Sequence, residues 1–297
     1  VFVFLLLAIV SSVAASHLGL FKFLDEIADV KAEIFSGVVE GGHAVINRDS
    51  PYFDYLKEAA LAQGIKSVVG FGRHPEANVR LEGLALRPDC CCITAQILDE
   101  KVIYKLGMPG EHMALNSLAV LAAAKLVGAD LARAALALSD AKPAKGRGGQ
   151  VTLSLAAGDA LLLDESYNAN PASVAAAIAL LATMKTGRNG RRIAVLGDML
   201  ELGDFGPDLH RTLTHDIERH GIDRVHAAGP LMKHLWNALP ETKRGFYAEK
   251  SSALIDEIST DLRVGDCVMV KGSLGSRMGP IVEALKAKWP QRQKEDV

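Results

Sequence analysis

Two rhythms of apolar residues run along this chain. Residues 1–10 form an unbroken apolar run. It is too short to cross a bilayer, which needs about 20 residues, and no basic stretch precedes it. Val13-Ala14-Ala15 resembles a small-residue cleavage site, yet the run itself reads as a strand buried on both faces, in a chain whose start lies further upstream. Helical spacing then takes over at residues 25–35, where Leu24, Ile27, Ala28, Lys31, Ile34 and Phe35 share a face. A short strand at 44–46, a helix at 51–62 opened by Pro51, a strand at 65–71 and several strands within 78–106 follow, with 90–98 the most apolar. Residues 111–127 and 130–139 read as helices, the second capped by Asp130.

Lys142-Pro-Ala-Lys-Gly-Arg-Gly-Gly149 breaks this pattern and reads as a linker. Beyond it, apolar strands at 160–163, 192–196, 224–228, near Phe246 and at 267–270 alternate with helices at 171–184, 208–220, 230–238, 251–262 and 276–288. Such alternation implies a parallel sheet with right-handed crossovers. The fold class is therefore α/β, with a first domain over 1–147 and a Rossmann-like domain with a mostly parallel sheet over 148–297.

Composition narrows the function only a little. The 33 Lys and Arg nearly balance the 35 Asp and Glu, and aromatic residues make up 5%, which argues against a nucleic-acid partner. No later stretch reads as a membrane span, so no stable membrane insertion is expected; a cytoplasmic monomer is. Cys90, Cys91, Cys92 and Cys267 fit neither a disulfide framework nor zinc spacing, and read as reduced thiols.

In an open parallel sheet, ligands bind beyond the carboxyl ends of the strands. Three polar segments fall there: Asp164-Glu-Ser-Tyr-Asn-Ala-Asn-Pro171, Gly197-Asp-Met-Leu-Glu-Leu-Gly203 and Lys271-Gly-Ser-Leu-Gly-Ser-Arg277. The first ends with Asn170 as an N-cap and Pro171 in the first helical position, a helix start suited to an anion. Any one of these is an ordinary loop composition; three on one sheet edge point to a site.

Together with His210 and Val270-Lys-Gly-Ser273, these segments resemble the signature of the Mur ligase family. Upstream, Ala15-Ser-His-Leu18, Ala28-Asp-Val-Lys-Ala-Glu-Ile34, Ala44-Val-Ile-Asn-Arg-Asp49 and Pro109-Gly-Glu-His112 with Asn116 resemble its central domain. The resemblance runs from about Ile9 to Leu285. It implies an ATP- and magnesium-dependent amide ligase of peptidoglycan synthesis. The branch it resembles joins D-alanyl-D-alanine to UDP-N-acetylmuramoyl-tripeptide through an acyl phosphate. Charge gathers on phosphoryl oxygens in that reaction, which calls for cations and aimed N–H donors.

The same resemblance assigns residues. Lys31 as a carbamate, with His17, is implied to hold the magnesium and serve catalysis; carbamylation needs a neutral amine, which burial favours. Read without it, Lys31 is a snorkelling surface lysine and His17 a buried or capping histidine. His112 and Asn116, one helical turn apart, are implied near the nucleotide, and Arg147 at its phosphates or ribose. Asp164 and Glu165 remain alternatives for the ribose hydroxyls. Tyr167, Asn168 and Asn170 are expected along the nucleotide-binding cleft. Asp198, Glu201, Lys271, Ser273 and Arg277 are expected to hold peptide or the dipeptide carboxylate. Met113 and Leu274 depart from the family pattern, with Leu274 standing where an arginine is common.

No Gly-x-x-x-x-Gly-Lys-[Ser/Thr] loop occurs in the 297 residues, so the chain reads as a piece of a longer enzyme, inactive alone. Three other readings stay open. One is a different Mur ligase or a folylpolyglutamate synthase-like ligase. Another is a nicotinamide-dependent oxidoreductase, against which the lack of Gly-x-Gly-x-x-Gly after the first strand of the second half counts. The last is a non-catalytic binding module.

Overall fold

A computed structural model describes residues 5–13 and 23–290. Contacts divide the chain into two compact units that part between Lys142 and Pro143. Lys145 and Arg147 thus fall in the second unit, where Lys145 pairs with Glu283 at 3.1 Å.

In the first unit the order is β1 (Leu5–Val10), α1 (Leu24–Ala32), β2 (Val38–Asn47), α2 (Phe53–Ala62), β3 (Ser67–Gly72), β4 (Val79–Leu86), β5 (Cys91–Ile97), β6 (Glu100–Leu106), α3 (Glu111–Leu126) and α4 (Leu131–Ala137). The strands form one sheet in chain order, parallel from β1 to β4 and antiparallel from β4 to β6. The apolar run at the start is thus a strand paired in parallel with β2. Both faces are covered. Ala44 and Ile46 join Phe53, Leu56 and Ala60 of α2 in one core, while Val45 lies in the opposite core with Leu118 and Leu121 of α3.

Several boundaries move. The three-residue strand expected at 44–46 is ten residues long, because Gly41 at φ 79° lets the chain bend without leaving the sheet. Pro51 precedes α2 in a turn rather than opening it. The helix expected at 25–35 gives way after Ala32 to a 3₁₀ turn over Glu33–Gly37. Asp130 caps α4 as expected, accepting from the Arg133 N–H at 2.8 Å. All four cysteines are free thiols; Cys90, Cys91 and Cys267 are buried, and burial pushes Cys91 up to about 11.

The second unit contains β7 (Gly149–Leu155), β8 (Gly158–Glu165), α5 (Pro171–Thr183), β9 (Arg192–Gly197), α6 (Gly206–Arg219), β10 (Arg224–Ala228), α7 (Met232–Ala238), β11 (Arg244–Ala248), α8 (Ile255–Asp261), β12 (Cys267–Lys271) and α9 (Gly279–Lys288). Its sheet runs β11-β10-β9-β12-β8-β7, parallel except for β7. Strand β7 lies beyond the sequence expectation, which placed the first strand of this domain at residues 160–163. Alternation splits each strand between two cores: Leu163, Ala194, Leu196, Val225 and Met269 face α5, α6 and α7, whereas Leu162, Ile193, Val195, Val268 and Val270 face α8 and α9.

This topology fixes where a ligand site forms. Strands β9 and β12 are adjacent and parallel. The helix that follows β9 lies on one face, and the helix that follows β12 lies on the other. Their connections therefore diverge and open a crevice at the strands' carboxyl ends.

Candidate functional site

All three polar segments meet at that crevice, and Ser273 ties them together. Its Oγ accepts from the Leu200 N–H at 2.9 Å and donates to the Ala169 carbonyl at 3.2 Å, and its own N–H donates to the Asp198 carbonyl at 3.0 Å. One buried serine thus bonds to both other loops, and its single hydroxyl proton is spent on the Ala169 carbonyl.

Asp198 is turned inward as well. Its buried carboxylate accepts from the Met232 N–H at 2.7 Å and the Leu231 N–H at 3.4 Å, satisfying the start of α7. Burial raises its pKa above the usual carboxylate range, against the pull of those two N–H groups. Gly229, at φ 111°, follows β10, and a Cβ there would sit 2.3 Å from the Asp198 Cγ. His210 anchors the same loop: its Nε2 accepts from the Met199 N–H at 2.9 Å and its Nδ1 donates to the Gly206 carbonyl at 2.6 Å. Wholly buried, His210 is held neutral by desolvation, which lowers its pKa.

The first segment carries the nucleotide candidates. Asp164 is buried and accepts from the Ser166 Oγ at 2.6 Å, with Lys286 at 3.9 Å. Glu165 stands beside Lys271 in the last register pair of β8 and β12. Its Oε2 lies 3.4 Å from the Lys271 Nζ, while its Oε1 is buried with no hydrogen-bond partner. Burial pushes Glu165 up and Lys271 down, and each charge resists the other's shift. The Arg147 guanidinium stacks 4.1 Å over the Tyr167 ring. Asn168 is exposed, and its Oδ1 accepts from the Ala169 N–H. Asn170 is the N-cap of α5: its Oδ1 accepts from the Ser173 N–H at 2.8 Å, and the Ser173 Oγ accepts from the Asn170 N–H at 2.9 Å.

Glu201 and Arg277 flank the crevice with φ of 63° and 53°. Left-handed backbone is unfavourable for either residue type and concentrates at functional sites. Arg277 is exposed, and its carbonyl accepts from the Ser251 Oγ at 2.9 Å. Beside it opens a cleft of about 520 Å³. Asp198 and Glu249 line it together with Lys250 and Arg277, so both signs of charge are present, and Gly229, Pro230, Ser251, Ser252 and Ser276 are among its other lining residues. Lys250, Glu249 and Ser252 were not singled out from the sequence. Their signal is position alone: they follow β11 on the same sheet edge.

The remaining candidates belong to the first unit or lie outside the described residues. Lys31 is half-buried in the last turn of α1. His112 and Asn116 occupy the first turns of α3, where Glu111 pairs with Arg73 at 2.8 Å. His17 lies outside the described residues. Among the described residues, no group of three His, Cys, Asp or Glu is arranged to hold a metal, and no helix is long and apolar enough to cross a membrane.

A parallel sheet whose loops converge at a strand-order reversal defines an α/β protein that binds ligand at its carboxyl edge. Comparison with known proteins gives the kind. Residues 3–124 match the Mur ligase middle domain and residues 153–274 the Mur ligase glutamate ligase domain. The UDP-N-acetylmuramoyl-tripeptide–D-alanyl-D-alanine ligase of Escherichia coli K12 is 32% identical over 282 residues, covering 94% of this chain and 60% of that protein. The enzyme of the same name from Mycobacterium tuberculosis H37Rv is 28% identical over 302 residues, covering 95% and 58%. A crystal structure of MurF from Acinetobacter baumannii superposes with a TM-score of 0.82 at 25% identity, over 95% of this chain and 60% of that one. MurF from Thermotoga maritima, solved with ADP, gives 0.78 at 22% identity over 95% and 62%. The chain belongs to the Mur ligase family. It spans about 60% of the length of the relatives it matches.

Proposed function

We propose that this chain is the nucleotide- and dipeptide-handling part of an ATP-dependent, cytoplasmic ligase, monomeric in solution. The enzyme adds D-alanyl-D-alanine to UDP-N-acetylmuramoyl-tripeptide. The observation that carries this reading is the crevice itself: three tied loops beside a 520 Å³ cleft lined by charges of both signs. A short zwitterion suits such a cleft. Lys250 and Arg277 face its carboxylate, and Glu249 faces its ammonium.

The nucleotide belongs on the neighbouring loop. Glu165 Oε1 is a buried acceptor without a donor, which a ribose hydroxyl satisfies. Glu165 is therefore favoured over Asp164, whose carboxylate already serves Ser166. Arg147, flat on Tyr167, offers a guanidinium to phosphate; His112 and Asn116, at the start of α3, are the nucleotide candidates of the first unit. When bound, ATP supplies the phosphoryl group that activates the tripeptide carboxylate, and magnesium offsets the charge of its phosphates. Lys31 as a carbamate and His17 would hold that magnesium. Because the 297 residues hold no Gly-x-x-x-x-Gly-Lys-[Ser/Thr] stretch, this polypeptide alone is expected to release no phosphate from ATP.

The test is calorimetric titration of the chain with D-alanyl-D-alanine, D-alanine, L-glutamate and NADH. Heat with the dipeptide, lost in Arg277→Ala, is the expected result. Binding of glutamate in its place would move the assignment to a folylpolyglutamate synthase-like ligase. Binding of NADH would move it to an oxidoreductase.

A further inference from the structure

The sequence reading makes Lys271 an anchor for substrate, but its surroundings leave it no route to one. The Lys271 side chain is 3% exposed. It leaves the sheet on the face covered by α5, continuing the row of Met269. Its Nζ donates to the Asn168 carbonyl at 3.0 Å and lies 3.4 Å from Glu165 Oε2. A buried ion pair adds little net stability over an apolar pair of similar volume, so stability alone does not account for placing it at the sheet's carboxyl edge. What the pair does is geometric. It fixes one Glu165 oxygen and leaves the other, Oε1, buried and bare. It also holds the backbone at Asn168, two residues before the α5 N-cap.

We infer that Lys271 is a positioning residue: it clamps the 164–171 loop from β12 and sets the bare Glu165 oxygen for a ligand hydroxyl, without touching substrate itself. The second half of this statement rests on the nucleotide reading of Glu165 proposed above; the clamp does not. Together with Ser273, two residues on, Lys271 makes the loop after β12 the fastener of the loop after β8.

The experiment compares Lys271→Met, Glu165→Gln and the double variant in the full chain by amide hydrogen exchange and by carbon NMR of the Glu165 carboxyl. In Lys271→Met, the Tyr167 and Asn170 amides are expected to exchange about tenfold faster or more, with Leu163 and Met269 unchanged. The Glu165 titration midpoint moves to higher pH, because the cation that draws it down is gone. A Lys271 that does not clamp the loop would leave Tyr167 and Asn170 exchange where it is, whatever the Glu165 midpoint does, and that result overturns the proposal. If Lys271→Met fails to fold, the double variant, which leaves no lone buried charge, is compared with Glu165→Gln. Faster exchange at Tyr167 in the double is expected, and equal exchange overturns the clamp. Adding ADP to the unaltered chain separates the two halves. A displaced Glu165 signal is expected; an unmoved one removes the ligand hydroxyl from the proposal, while the clamp is judged on exchange alone.

Discussion

His210 holds the loop after β9 with both ring nitrogens, one accepting from the Met199 N–H and the other donating to Gly206. That arrangement needs a neutral ring, since a protonated Nε2 cannot accept. Asp198 and His234 are the charged groups that face it. Burial lowers the folded pKa below the ordinary 6.5. The unfolded chain therefore takes up the proton first as pH falls. Stability from this residue is complete above about pH 6.5 and is lost as the pH drops below it. The urea midpoint should fall between pH 7.5 and 5.5 in the unaltered chain, and fall less in His210→Gln, which accepts from Met199 but does not titrate. Equal slopes would exclude the ring as the titrating group. His210→Ala strands the Met199 N–H and should cost about 1–3 kcal/mol at neutral pH. Residue types at this edge were legible in the sequence, but their employment was not. Asp198, Ser273 and Asn170 look like ligand groups because short polar side chains bind ligands and backbone equally well. Only the fold decides which, and here it turns all three onto main chain.

At the scale of elements, loop placement follows from two local devices. The reciprocal cap of Asn170 and Ser173 fixes where α5 begins. Asn170→Ala should lower stability by about 1 kcal/mol, and Asn170→Asp should recover most of it; a nucleotide contact by Asn170 would instead show as lost ADP binding with unchanged melting. Gly229 lets β10 turn tightly enough for Asp198 to reach the α7 N–H groups. Gly229→Ala combines a left-handed φ with a clash against that carboxylate, and should destabilise by about 2 kcal/mol or more, read as a lower urea midpoint with unchanged slope. Strands and helices after residue 160 were legible because most of the parallel strands are apolar runs and the helices between them are either amphipathic, as in α6, or apolar behind a clear cap, as in α5. Strand β7 was not: it is an edge strand, half-buried over Gly149, Gln150 and Val151, and it follows a stretch whose glycines and charges read as linker. The 520 Å³ cleft was half legible. Its β9 and β12 walls carry conspicuous motifs, whereas Glu249, Lys250 and Ser252 have no pattern of their own and acquire meaning only from the strand order.

For the whole molecule, the decisive fact is that each unit closes its own cores. Among the described residues, the clusters around Leu163 and Leu162 draw only on residues beyond 150, and those around Val45 and Ala44 only on residues up to 141. A unit with a six-stranded sheet covered on both faces meets the physical requirement for folding alone. Residues 143–297, expressed by themselves, should therefore unfold in one cooperative transition, with dispersed amide signals. The crevice loops, the Ser273 ties and the Lys271–Glu165 pair all lie within that stretch, so its dipeptide titration should match that of the whole chain. Exposed Lys142 and Lys145 flank the point where the units part. Brief trypsin treatment of the whole chain should cut first after Lys145, since Pro143 protects the bond after Lys142, and release a stable piece only three residues shorter than 143–297. A collapsed but non-cooperative 143–297, or digestion that starts within β8 to β12, would mean that the second core is completed by residues outside it. The ligand-binding edge could then no longer be treated as a property of this sheet alone.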